Sequence, residues 1–189
     1  MKSTMQEVPM TVSSILRHVA TNHTVRQVIT YSVNGSARYA TYGDLEERCA
    51  RLANALRRVG VVGDDRVATM LWNNQEHLEA YAAVPAMGAV LHTLNIRLSP
   101  AQLQFIANHA EDKVIIVDGS LVPLLAAVLP GLATVRVVFV TGDGDTPIIW
   151  PRPTALPDSR IGRTTKAGIT TRCTAASSAG SSPSRSASS

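Results

Sequence analysis

Few residues in this chain of 189 could do chemistry, and their spacing says what they could not do. His18, His23, His77, His92 and His109 are scattered without the intervals of metal ligands. Cys49 lies inside a helical pattern and reads as a small buried hydrophobe, while Cys173 falls in a very different segment. Two cysteines so placed make neither a disulfide framework nor a metal site. Gly142-Asp143-Gly144-Asp145 has the opening of a calcium loop but lacks its spacing and terminal glutamate, so it reads as a turn. Gly60 to Gly63 is not a dinucleotide fingerprint, which needs GxGxxG directly after a strand. No catalytic residue, cofactor-binding residue or metal ligand is assigned. What remains is His92 with Asn95, in the polar run His92-Thr93-Leu94-Asn95-Ile96-Arg97 inside an apolar setting. Two readings stay open for this pair: contact with a ligand, or a turn whose polar groups satisfy backbone locally.

The elements that must position this run are legible around it. A helix over Gln75 to Met87, capped by Asn73 or Asn74, should turn Leu78, Tyr81, Ala82 and Met87 inward and end at Gly88. A short buried strand, Ala89 to Leu94, follows. Ser99 then caps a helix from Pro100 to Ala110, with proline at the first helical position. Upstream, Ser13 and Ser14 offer caps for a short helix over Thr11 to Val19. Val25 to Ser32 and Arg38 to Ala40 read as strands joined by Asn34-Gly35, a strong hairpin signal. Thr41 opens the clearest helix, with Asp44 closing a capping box, an apolar stripe through Leu45, Cys49, Leu52, Ala53 and Leu56, and a stop at Gly60. Continuous apolar strands are expected at Arg66 to Leu71, Lys113 to Val117 and Thr134 to Val140, with a helix over Leu121 to Leu129. Apolar strands alternating with helices predict a mostly parallel sheet flanked by helices, an α/β fold preceded by an N-terminal hairpin.

Composition narrows the partners. Residues 1–141 carry 12 basic and 11 acidic side chains, and residues 142–189 carry six and three, so the net charge of +4 owes most to the end of the chain. With only 4% aromatic residues and no clustered basic face, a nucleic-acid partner is not expected. Gly119 to Val135 is apolar but broken by Pro123, Pro130 and Gly131, so no membrane span is expected. Met1 to Met10 lacks the plan of a secretory leader, and a cytoplasmic location is the expectation. After Asp158 there is neither an acidic residue nor apolar periodicity. Residues 142–189 are therefore expected to be a low-complexity, disordered tail behind a domain at 1–141.

From Thr41 to Asp118 the chain resembles the AMP-forming acyl-CoA synthetases of the adenylate-forming superfamily. The resemblance rests on Thr41-Tyr42-Gly43-Asp44-Leu45, on Arg51-Leu52-Ala53-Asn54-Ala55-Leu56 and on Val62-Gly63-Asp64-Asp65-Arg66-Val67-Ala68. It continues through Asn73-Asn74-Gln75-Glu76-His77-Leu78-Glu79-Ala80-Tyr81 and Met87 to Pro100, and closes with Ile106 to Asp118. His92-Thr93-Leu94-Asn95-Ile96-Arg97-Leu98 looks most like the fatty-acid branch. The resemblance implies the N-terminal subdomain of a fatty-acid–CoA ligase, whose full-length relatives use ATP, Mg and CoA to turn a fatty acid into acyl-AMP and then acyl-CoA. In that setting His92 and Asn95 could line an acyl site.

The family's phosphate loop, a Ser/Thr/Gly-rich run ending in Pro-Lys-Gly, has no counterpart here, and neither does its C-terminal lysine. No catalytic residue is carried over, and the fragment is expected to bind none of those cofactors and to be unable to catalyse the reaction. A non-catalytic remnant or interaction module keeping the fold is the alternative, and an unrelated Rossmann-like binding domain a weaker one. Exposed sheet or helix surfaces would favour self-association. The Ser-, Ala- and Arg-rich tail also has the composition of a G/C-rich gene read out of frame, which predicts a frameshift shortly after Val140.

Overall fold

The computed structural model describes residues 9–31, 35–142, 160–165 and 168–170, the last two segments as backbone. The chain opens with helix α1 (Val12–Asn22) and an antiparallel hairpin of β1 (Gln27–Tyr31) and β2 (Ala37–Thr41). Then come α2 (Tyr42–Arg58), β3 (Arg66–Met70), α3 (Gln75–Ala86), β4 (Val90–Thr93), α4 (Pro100–His109) and β5 (Val114–Asp118). A 3-10 turn (Gly119–Leu121) leads into α5 (Val122–Val128), and a second one (Leu129–Gly131) leads to β6 (Val137–Thr141).

The helix starts are set by short-range chemistry. Thr41 and Asp44 form the expected capping box on α2, and Ser99 and Gln102 form another on α4. Asn74, not Asn73, caps α3 through the amide of His77. At α1 the cap is Thr11, whose hydroxyl accepts from the Ser14 amide. Ser13, offered as a cap by the sequence, instead donates to the carbonyl of Ala86 and ties α1 to α3. Gly35, in the hairpin turn, has φ +80°, and Gly88, just past α3, has φ +86°. Both conformations favour glycine. Asn34 and Ser32 lie outside the described residues.

The main sheet runs β4-β3-β5-β6, all parallel. Along β5, Val114 and Ile116 enter the layer built by α2 and α3, while Ile115 and Val117 enter the layer built by α4 and α5. Both faces are thus covered, which is why the strand reads as an unbroken apolar run. The layers are also pinned at the amino ends of the strands. Asp65 accepts from the Val62 amide and pairs with Lys113, joining the turn before β3 to the start of β5.

Two expectations need correction. β4 is not a buried strand: it is the sheet's edge, with Val90 45% exposed, because among the described residues only β3 pairs with it. The inward face of α3 is Gln75, Glu79, Ala80, Ala83 and Val84, whereas Leu78 and Tyr81 face solvent. The helix is rotated because Glu79 finds Arg48 of α2 as a partner. Within residues 142–189 two strands are described, β7 (Arg160–Thr165), parallel to β6, and β8 (Gly168–Thr170), antiparallel to β7. β7 takes up the edge of β6 that β5 leaves open. The rest of that segment lies outside the described residues.

Candidate functional site

The strand order defines where a ligand crevice would lie. From β3 the chain moves outward to β4, then crosses back over β3 to β5 on its other side. In open α/β sheets the crevice sits at such a reversal, outside the carboxyl ends of the strands. Here that place is between the ends of β3 and β5. Leu71, Trp72, Asn73 and Asn74 leave the first, and Asp118, Gly119 and Ser120 leave the second.

A chain of hydrogen bonds spans the two loops. The indole N–H of Trp72 donates to Ser120 Oγ at 2.9 Å, and the Ser120 hydroxyl donates to Asp118 Oδ1 at 2.7 Å. Asp118 Oδ1 also accepts from the Ser120 amide at 2.9 Å, which fixes the 3-10 turn. Trp72 is half exposed, so its ring forms part of the surface over the crevice. His77, one turn into α3, supports it from behind. A carbonyl can only accept, so His77 Nδ1–H donates to the Trp72 carbonyl at 3.2 Å, and Nε2 accepts from the Thr69 hydroxyl at 3.1 Å. Burial pushes the pKa of His77 down, which favours this neutral form. Its ring lies 4.9 Å from that of Tyr81. Sequence reasoning missed this group because Trp72 and Ser120 are 48 residues apart. Only a topology could have brought them together.

Three of the amides at this place already have side-chain acceptors. Asn74 takes the His77 amide, the Thr30 hydroxyl takes the Gln75 amide at 3.1 Å, and Asp118 takes the Ser120 amide. A carboxylate at the start of the second loop also repels phosphate. Those three amides are not free to hold a nucleotide's phosphates. Among the described residues no group of three or more His, Cys, Asp or Glu could hold a metal ion.

The pair singled out from the sequence is split between two local arrangements. His92 Nδ1 lies 2.9 Å from both carboxylate oxygens of Asp112, which is fully buried. Burial pushes the Asp112 pKa up, against the hydrogen bond from His92. The Asp112 carbonyl in turn accepts from the Thr134 hydroxyl at 2.9 Å, so the contact ties edge strand β4 to the loops on either side of β5. Asn95 Oδ1 accepts from the Arg97 amide at 3.0 Å, a turn closed on itself. The structure thus gives His92 and Asn95 separate partners.

A second buried polar group lies in the layer of α2 and α3. Arg48 donates to Glu79, which also accepts from Gln75 at 2.9 Å. Burial pushes the Glu79 pKa up, against the guanidinium beside it. Cys49 is fully buried next to this pair, with its sulfur 3.6 Å from the Glu79 carbonyl, and burial pushes its thiol pKa up to about 12. It is a packing residue and not a nucleophile.

The family model described as AMP-binding enzyme matches residues 16–170. A long-chain-fatty-acid–CoA ligase from Thermus thermophilus is 43% identical over 145 residues, which are 77% of this chain and 27% of that protein. A medium-chain-fatty-acid–CoA ligase from Ectopseudomonas oleovorans is 32% identical, over 78% of this chain and 31% of its own length. The chain therefore spans about a quarter to a third of the length of these curated relatives. Among solved structures, one described as a long-chain-fatty-acid CoA ligase from Rhodopseudomonas palustris superposes with a TM-score of 0.61 at 28% identity, over 84% of this chain and 42% of that one. An anthranilate CoA ligase bound to anthranoyl-AMP superposes with a TM-score of 0.63 over 74% of this chain and 26% of its own; at 18% identity it supports the fold alone.

Proposed function

The chain belongs to the family of AMP-binding enzymes, and from that premise we propose that it is the N-terminal part of a fatty-acid–CoA ligase which does not perform the reaction by itself. The observation that carries the reading is the 43% identity to a long-chain-fatty-acid–CoA ligase over 145 residues that make up only 27% of that protein. In the whole reaction ATP and the fatty acid's carboxylate give acyl-AMP and pyrophosphate, and the thiol of CoA then takes the acyl group and releases AMP. Mg, ATP, CoA and the fatty acid belong to that whole reaction. The reading is supported by three amides at the switch point being held by the Asn74, Thr30 and Asp118 side chains, and on this reading phosphate binding comes from the length that these residues do not span. Preorganised donors usually supply the largest share of such a rate enhancement. The reading goes with a cytoplasmic location and no nucleic-acid partner; no helix among the described residues is long and apolar enough to cross a membrane.

A second reading, an interaction module that keeps the fold without the chemistry, is favoured by the exposed apolar side chains Ile29, Tyr31 and Tyr39 on the hairpin. Fatty-acid-dependent exchange of pyrophosphate into ATP tests the first reading. The chain alone should give background exchange at every acyl length; exchange well above background would overturn the statement that it does not act by itself. The Thermus ligase with its matching N-terminal quarter replaced by this chain should regain exchange. A soluble chimera without activity favours the interaction module.

A further inference from the structure

We propose that His92 and Asp112 form a proton-controlled latch: while the pair holds one proton more than a neutral imidazole beside a carboxylate, edge strand β4 is fastened to the sheet, and loss of that proton to water loosens it. The inference stands on the fold and not on the ligase reading. Among the described residues β4 is paired on one side only. The Val90 amide donates to the Asp65 carbonyl and the Leu94 amide to the Thr69 carbonyl, each at 2.9 Å. Between these two bonds, His92 Nδ1 lies 2.9 Å from both carboxylate oxygens of Asp112. Asp112 is fixed on the interior side. Its amide donates to the Ala107 carbonyl of α4 at 3.1 Å, and its carbonyl accepts from the Thr134 hydroxyl. With one partner anchored inside and the other on an edge strand, a change in the pair moves β4.

The Asp112 side chain is fully buried, while that of His92 is 24% exposed, so protons reach the pair from water through the imidazole. One N–H serving two oxygens makes the two groups titrate as a unit. With the additional proton the pair is imidazolium on carboxylate or imidazole on carboxylic acid, and neither form leaves net charge in the interior. Without it, a buried anion keeps only a neutral donor, and an uncompensated buried charge favours any opening that admits water. Burial pushes the Asp112 pKa up from the ordinary 3.8, against the hydrogen bond from His92. A raised value sets the sign: the contribution is complete below 3.8 and is lost as pH rises through the folded value. Other charged groups on the surrounding elements are engaged elsewhere or face solvent. Arg66 of β3 acts on the carboxylate through space, but its guanidinium donates to the Ala110 and Asp64 carbonyls and to Glu111. Lys113 pairs with Asp65, and His109 of α4 stacks on Phe105. Arg97, after β4, and Arg136, before β6, are exposed. Among the described residues no group but His92 donates to the Asp112 carboxyl.

The test is amide hydrogen exchange of the full chain, followed by NMR from about pH 4 to about pH 8, the range in which a carboxyl and an imidazole change charge. Each rate is corrected for its intrinsic dependence on pH. The protection of the Leu94 amide, relative to the amides of β5, should fall about tenfold or more across that range, since one unit of proton affinity is a factor of ten. His92→Asn puts an amide N–H in place of Nδ1–H and cannot titrate, so its ratio should stay level. Asp112→Asn removes the carboxyl and should do the same. Circular dichroism checks the folding of both variants, and either one that folds serves. The parent's own profile decides if neither does. A parent ratio that stays level or rises with pH overturns the proposal, and so does a fall of the same size in a folded variant.

Discussion

Trp72 and Ser120 are joined by a 2.9 Å hydrogen bond that closes the gap between the carboxyl ends of β3 and β5, the place where a fold of this kind ordinarily admits a ligand. The bond sets the indole, and the Asp118 carboxylate sets the serine. Ser120→Ala removes the acceptor and leaves the ring in place. Both groups are partly in water, so the expected loss of stability is about 1 kcal/mol or less. The clearer effect is optical. In a Trp150→Phe background, Ser120→Ala should make Trp72 fluorescence more accessible to iodide; unchanged quenching would mean that the bond does not hold the ring.

Arg48 and Glu79 form the most enclosed ion pair in the molecule's α2–α3 layer, with side chains 19% and 8% exposed. Glu79→Ala strands the guanidinium beside an apolar layer and should lower stability by about 3 kcal/mol. Replacing both partners, Arg48→Met with Glu79→Leu, should recover most of that, because a buried pair gives little beyond an apolar pair of similar volume. Urea unfolding of the two variants decides it: a double variant no better than Glu79→Ala would show that the pair itself stabilises.

The capping carboxylate of α2 makes a prediction about pH. The Thr41 amide and hydroxyl donate to Asp44 and hold its pKa below the ordinary 3.8. A carboxylate lowered by folding stabilises fully above its unfolded value, and that contribution is lost as pH falls through the lower folded value. Helical circular dichroism of the chain should therefore fall more steeply with acid below pH 3.8 than that of Asp44→Asn, with the two converging at the acid end. Parallel curves would show that the box does not couple to protonation.

Gly88 has φ +86° and open space where a side chain would go, so strain and not crowding decides a substitution there. Gly88→Ala should cost about 1 kcal/mol, and Gly88→Asn less, because asparagine tolerates the left-handed region. Thermal melts rank the three. Equal stability of Gly88→Ala and the parent would mean that the turn rearranges.

What could be read from the sequence divides along interaction range. The caps at Thr41, Asn74 and Ser99, the stop at Gly88 and the apolar strands were legible because each depends on neighbours within four residues or on a simple period. The inward face of α3 was not. Its apolar residues suggested Leu78 and Tyr81, and burying Glu79 makes sense only once Arg48, 31 residues earlier, is beside it. For His92 the sequence left ligand contact and local turn both open, because its partner Asp112 lies 20 residues on. The group around Trp72 was invisible for the same reason, since it exists only where two loops meet at the end of the sheet.

The buried thiol of Cys49 can serve as a clock. A thiolate is needed for alkylation, and both burial and a pKa near 12 deny it while α2 lies on α3. Modification of Cys49 at neutral pH therefore waits for those helices to part, and its rate counts how often they do. A pulse of maleimide followed by mass spectrometry would time the opening of one helical layer while the opposite one, built on α4 and α5, stays silent. The molecule thus carries an internal reporter of local breathing that needs no label to be engineered into that interface.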